Sequence, residues 1–568
     1  MVRVSASEHQ LPRRRPPWSA HLATVCRHGS IVLIFLALTV LVTYPQVRGL
    51  GTAIPYHSDP YFSIWRLAWV AHAIHTDPRS LFEANIFYPA HDTLAYSDAM
   101  LLPGTALAPL FWTGINPVLV YNLVLLAAFA LSGYAAFLLA RALTGSVTGS
   151  IAAGVVYAFA PYRFCHYMHL ELQMVFWIPL ALLLAHRIVA NGRPRDGVML
   201  GLAVAAQLLS SVYVGVFSLT YFAVLVPGLL VLTGVRHPRR LLAATAVGAA
   251  LTIAIVAPYA LAYRHAARDV GMRTLDEVTV YSASMKHYLS APAMNRLWGW
   301  TASTDRTWAD EMNLFPGGVA CALALLGVVK GRGRVRFAYL AGLAASVEMT
   351  RGSSSIVYLW LFEHVAAFQA LRAPARFATF VMLSLGVLSG YGVAFLLGSI
   401  EPRRWRHVAG AALVALLVAE YASSPLLEPA PEPTRIDSVL ARRPPSVVVE
   451  LPLLARRGFW GSLDAIYMYQ GIGHFQKMLN GYSGHAPASF YQMREMMAAF
   501  PDDRSMTFLR NLQVDYVVVR AGLYEEQARA ALLKQMGTME ELSLEAMWPD
   551  GPMGPEAVYR IKREPGRK

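Results

Sequence analysis

The stretch His57-Ser58-Asp59-Pro60-Tyr61-Phe62-Ser63-Ile64-Trp65-Arg66-Leu67-Ala68-Trp69 decides how this chain is read. It follows the first apolar run and carries a carboxylate away from it onto an aromatic segment. Asp59 before Pro60 reads as a helix N-cap with proline at the first helical position. Tyr61, Ile64, Trp65, Ala68, Trp69 and His72 recur at spacings of three and four, which predicts a helix with one tryptophan-rich apolar face. Such a helix suits the plane of a membrane interface rather than a crossing. Asp59 then has two open roles, a cap or a carboxylate that does chemistry at the membrane surface.

Around this stretch the composition is that of a membrane protein. The 568 residues are 55% hydrophobic and 15% charged, unlike a soluble enzyme of that length. Many apolar runs approach the roughly 20 residues that span a bilayer. The net charge of +14 sits in short loops between those runs, a pattern that encodes topology and calls for no nucleic acid. Cys26, Cys165 and Cys321 are scattered and offer neither a disulfide framework nor a CxxC site.

Arg13, Arg14, Arg15 and Arg27 precede a first span at 29–43 and predict a cytoplasmic N-terminus in an inner (plasma) membrane. No small-residue cleavage site follows Tyr44-Pro45, so the run reads as retained. Residues 49–117 form a long external loop, in which 101–112 is too short to cross and reads as interfacial or re-entrant. Further spans are expected near 118–140, 147–161, 174–188, 197–213, 215–234, 241–260, 315–329, 337–349, 377–399 and 408–422, about eleven in all. Counting 101–112 as a span would move Arg141, Arg187, Arg193, Arg195, Arg236, Arg239 and Arg240 outside. A second external loop follows Pro258-Tyr259, and 356–368 reads as another amphipathic piece.

The character changes after the last span. Residues 428–433 alternate glutamate and alanine with proline, a linker signature. Residues 446–451 and 514–519 read as buried strands, 525–535 as a helix and 558–561 as a closing strand. The expected organisation is a mainly α polytopic transmembrane domain, 1–422, and a small external (periplasmic) α/β domain, 423–568. No inverted repeat, glycine-rich nucleotide loop or heptad is visible.

In this topology the polar residues that packing does not need collect on the external side. In the loop 161–173, His166 and His169 would share a helical face, and with Glu171 they form a candidate ligand set for a divalent metal. A polar interfacial loop explains the same residues, and no further ligand is set by spacing. Asp98, Asp310 and Glu311 add carboxylates, each equally readable as solvated or capping. Arg372 and Arg376 flank Pro374 at the outer entrance of a span, where a guanidinium can grip a phosphate or pair with a carboxylate.

These features together resemble the GT-C superfamily of integral membrane glycosyltransferases, such as the protein O-mannosyltransferases and the lipid A aminoarabinose transferase. The likeness covers the architecture of 1–422, with Ser58-Asp59-Pro60 as its short motif; many members carry an acidic pair where this chain has Asp59 alone. Asn85-Ile86-Phe87-Tyr88-Pro89, Leu371-Arg372-Ala373-Pro374-Ala375-Arg376-Phe377 and Asn480-Gly481-Tyr482-Ser483-Gly484 are similar to phrases in uncharacterised bacterial members. The resemblance implies inverting transfer of a sugar from a polyprenyl-phosphate donor to a hydroxyl of a glycan, lipid or protein acceptor. It implies Asp59 as general base, with Arg372, Arg376, Arg163, Asp98, Trp65 and Glu311 against the substrates. No cofactor is required by this reading, and a divalent metal at His166, His169 and Glu171 is optional.

Two other classes compete. A transporter or lipid flippase would place ionisable residues near mid-membrane and often carry repeated halves. Here Asp, Glu, Arg and Lys lie almost wholly outside the span centres. A non-catalytic envelope assembly protein, using its external domain to hold a partner, is compatible with the same residues.

Overall fold

The computed structural model of the chain describes residues 17–303, 309–453 and 463–562, with side chains from residues 26 and 311 onward in the first two segments. Arg13, Arg14, Arg15 and the Asp310 side chain lie outside the described residues. Each expected span is helical. Five helical segments, Pro117–Thr144, Leu170–Asn191, Val212–Thr233, Pro238–Val270 and Pro374–Gly398, are long and apolar enough to cross a membrane by length and composition. Their ends follow local chemistry. Asn116 accepts hydrogen bonds from the amides of Val118 and Leu119 ahead of Pro117, and Gly145 closes the same helix in the left-handed region. Between helices the contact is close: a Cβ on Gly149 would meet the Gly390 carbonyl at 2.5 Å.

Leu101–Trp112 is a helix of 12 residues, about 18 Å long and well short of a bilayer core. The helix Pro238–Val270 overruns the loop expected after Pro258-Tyr259. Its extension docks on the loop 49–117, where Tyr263 Oη accepts from the Ala99 amide at 3.0 Å and Ala266 is buried.

The Asp59 segment differs most from expectation. The helix Ser58–Thr76 is capped by His57, whose ring accepts from the Asp59 amide, so Asp59 is not the N-cap. Nor does the helix present one face to a membrane. Residues 60–71 are all buried, packed against Leu101–Trp112, Pro117–Thr144 and Leu463–Gln470. Both sides are covered because the C-terminal region folds down onto it.

That region holds a five-stranded mixed sheet. Val447–Leu451 lies between Lys477–Met478 and Tyr516–Val519, parallel to both. Gly554–Ile561 runs antiparallel to Tyr516–Val519 and pairs with Leu542–Gly551 as a hairpin. Helix Glu526–Thr538 precedes the hairpin. The expected linker begins as a strand: Leu427–Pro429 pairs antiparallel with Ala53–Pro55, three residues ahead of the Asp59 helix. A proline-rich edge strand tolerates this because only alternate amides need partners.

Candidate active site

Two of the signature phrases, 371–377 and 480–484, line one cavity of about 800 Å³, and the phrase at 85–89 is hydrogen-bonded to the one at 480–484. Phe87 donates its amide to the Asn480 carbonyl at 3.0 Å, and Met478 donates to the Asn85 carbonyl at 2.7 Å. Phe87 adopts a positive φ of 59° to do so, an uncommon conformation for a bulky residue. Its ring leaves no room opposite, since a Cβ on Gly481 would meet it at 2.5 Å. In the phrase 371–377, Ala373 donates its amide to Tyr213 Oη at 2.6 Å.

Asp59 lines this cavity with both oxygens engaged. His169 Nε2 meets Oδ2 at 2.7 Å. Tyr482 Oη, from the C-terminal region, donates to Oδ1 at 2.7 Å. Burial pushes the Asp59 carboxyl up, but His169 and His57 more than offset this and hold it well below the usual carboxylate range. Burial, followed by the charge of Asp59, raises Tyr482 well above an ordinary phenol, so it stays a donor.

A file of charged and polar groups continues from Asp59 through His169. The rings of His169 and His166 are 5.4 Å apart. His166 Nε2 stands 3.6 Å from Glu311 Oε2, and Glu311 takes Arg376 through both Nε, at 3.0 Å, and Nη2. Burial raises Glu311, yet Arg376 and then His166 bring it down to about 2. Burial is the first cause that takes His166 down to about 3.

The expected metal set separates in this geometry. His169 goes to Asp59, His166 faces Glu311, and Glu171 pairs with Arg66 at 2.7 Å. Among the described residues no group of three or more His, Cys, Asp or Glu is placed to hold a metal ion. These side chains therefore do not fit the ligand set His166, His169 and Glu171.

Three of the expected substrate contacts have structural duties instead. Trp65 is fully buried between Phe62 and Trp69 and donates Nε1 to Asn85 Oδ1 at 3.1 Å. Arg163 is buried beneath Phe129 and donates Nε to Gln173 at 2.7 Å. Neither residue lines the cavity. Asp98 does line it, but its carboxylate accepts from Ser211 Oγ and the amides of Val212 and Tyr213, capping the helix Val212–Thr233. Burial, then Glu171, raises Asp98 to about 6.

Arg372 lines the cavity over the Tyr281 ring, 5.2 Å from its centroid. Among the described residues it has no carboxylate within ion-pair distance. Arg376, by contrast, is compensated by Glu311. Four residues that sequence reasoning passed over also belong here. Arg66 anchors Glu171 and donates to the Asp98 carbonyl at 2.7 Å. Tyr482, Arg273 and His485 line the cavity from elements far apart in sequence. Arg66 had a signal, a lone guanidinium inside an aromatic apolar run, which must find a carboxylate if buried. No protein-family model and no curated protein matches the chain.

Proposed function

We propose that this protein is a membrane glycosyltransferase that moves a sugar from a polyprenyl-phosphate carrier to an acceptor hydroxyl, with about eleven spans and its cavity on the external face. The observation that carries the reading is that Asp59, whose carboxyl His169 and His57 hold well below the usual carboxylate range, shares one cavity with Arg372, which has no carboxylate within ion-pair distance among the described residues. The acceptor oxygen attacks the anomeric carbon as the bond from that carbon to the carrier phosphate breaks. The acceptor proton passes to Asp59, and inversion follows from attack opposite the leaving group. The departing phosphate gains negative charge, which Arg372 stabilises in a site of low dielectric. Arg376 acts through Glu311, holding the His166 side of the cavity in place. His169 and Tyr482 orient the carboxylate. No step in this scheme draws on a metal.

The test is transfer by purified protein in detergent from a radiolabelled polyprenyl-phosphate sugar. Asp59→Asn keeps an oxygen for the Tyr482 hydroxyl, so it is expected to abolish transfer while the melting temperature moves by only a few degrees. Full activity in that variant would remove Asp59 from the chemistry. Substrate movement across vesicles without sugar transfer would favour a transporter.

A further inference from the structure

The helices Pro17–Val42 and Arg404–Tyr421 leave a crevice between them, away from the Asp59 cavity. Arg404–Tyr421 packs on Val147–Phe159, while Pro17–Val42 packs on Pro117–Thr144. The crevice holds about 790 Å³, with Ile34, Leu38 and Leu41 on one wall and Ala411, Ala415 and Ala419 on the other. Thr148 and Ile151 form its floor, which is closed at Gly410, where a Cβ would meet Thr148 Cγ2 at 2.8 Å. It shares no lining residue with the Asp59 cavity.

One end of this apolar crevice is cationic. Tyr44, Arg296 and Ser423 line it there, at the end where 427–429 pairs with 53–55. Arg296 donates Nε to Ser424 Oγ at 3.0 Å, and the Arg48 guanidinium lies over the Tyr44 ring, 4.9 Å from its centroid. Among the described residues neither guanidinium has a carboxylate within ion-pair distance. Trp300, close to Arg296 in the chain, is 80% exposed, and tryptophan favours the headgroup level of a bilayer. From Ala422 to His407 at the far end is about 22 Å of helix. The crevice volume drawn along that length has a mean section of roughly 36 Å², less than half that of a helix about 10 Å across. That room suits a hydrocarbon chain and not a second polypeptide span.

We propose that this crevice binds one anionic membrane phospholipid, with its phosphate on Arg296 and Arg48 and an acyl chain along the alanine face of Arg404–Tyr421. Charge selects the occupant. A phosphodiester with net negative charge neutralises two arginines that the chain leaves unpaired, whereas a zwitterionic lipid brings its own cation. The acyl chain covers apolar surface that the two helices do not cover for one another, so the bound lipid ties the first helix to Arg404–Tyr421. The proposal rests on the membrane placement in the reading above and not on sugar transfer.

Full-length protein, stripped of lipid in detergent, is titrated with dioleoyl phosphatidylglycerol and with dioleoyl phosphatidylcholine. Thermal unfolding is followed, and retained lipid is counted by native mass spectrometry. Phosphatidylglycerol is expected to bind once per chain and to raise the midpoint in a saturable way, about tenfold or more tightly than phosphatidylcholine. Arg296→Gln and Arg48→Gln should each weaken it by about fivefold, the effect of one basic side chain at an anionic headgroup, and leave phosphatidylcholine unchanged. Ala415→Trp fills the crevice from an exposed wall position and should abolish lipid retention, with Ala419→Leu as a milder filling variant. Equal affinity for the two lipids in the parent protein would overturn the proposal, as would unchanged retention in both filling variants. So would a parent dimer that Ala415→Trp dissolves, because the crevice would then hold a second chain. If Asp59→Asn transfers sugar normally while Arg296→Gln loses the lipid, the transferase chemistry fails and the lipid site stands.

Discussion

Glu311 shows how much one residue decides in this site. Its carboxylate neutralises Arg376 and faces His166, all three being largely withdrawn from solvent. Replacing it by glutamine strands a buried guanidinium, and loss of one partner from a buried pair costs about 3–5 kcal/mol. Glu311→Gln should therefore lower the melting temperature more than any change confined to the protein surface, as read by scanning fluorimetry. The same cluster sets a pH dependence. His166 takes a proton below 6.5 when unfolded but only near 3 when folded. Glu311 does so near 4.5 unfolded and about 2 folded. Both groups bind more protons in the unfolded chain, so stability is present above pH 6.5 and is lost as pH falls. His474 and His485, each held near 4, act in the same direction. His166→Asn removes one proton from this balance and should flatten the decline between pH 6.5 and 4.5 by about 1.4 kcal/mol per pH unit.

At the scale of elements, Asp98 ties a loop to a helix. Its carboxylate receives two amides and a hydroxyl at the start of Val212–Thr233, where the helix dipole also favours negative charge. Asp98→Ala should cost roughly 1–2 kcal/mol, and Asp98→Asn clearly less because asparagine caps nearly as well. Thermal melts of the two variants side by side check this. A substrate-binding Asp98 would instead show a large loss of donor affinity at unchanged stability. The Ser58–Thr76 helix makes a related point. Its tryptophans stack in a row under the signature loops, so their spacing encodes a two-sided core element rather than a membrane anchor.

For the whole molecule, the decisive contact joins residues 423 positions apart, Tyr482 and Asp59. The loop bearing Tyr482 is anchored by Asn480, which accepts from the Glu450 amide at 2.7 Å and donates to Asp464 at 2.9 Å. Asn480→Ala leaves the buried Glu450 amide without its acceptor at a cost of roughly 1–3 kcal/mol. It should also release the loop from the cavity, seen as faster amide exchange at 482–485 and reduced transfer. The strand pair 53–55 with 427–429 brings the two ends of the helical region together, so the C-terminal sheet sits above Asp59 rather than trailing from a free linker.

The sequence alone determined where most helices and the buried strands 447–451 and 516–519 form, because apolar length and periodicity are local properties of the chain. It also marked Asp59 and the phrases 371–377 and 480–484, which line the cavity with it. Partner choice was illegible: whether Arg376 meets a phosphate or Glu311, whether Glu171 joins the histidines or Arg66, and whether Asp59 caps a helix or faces Tyr482. Those outcomes rest on which distant side chains arrive within about 3 Å of one another. Only the tertiary structure sets that distance, since a buried charge is compensated by whatever packing brings near it, not by its neighbours in sequence.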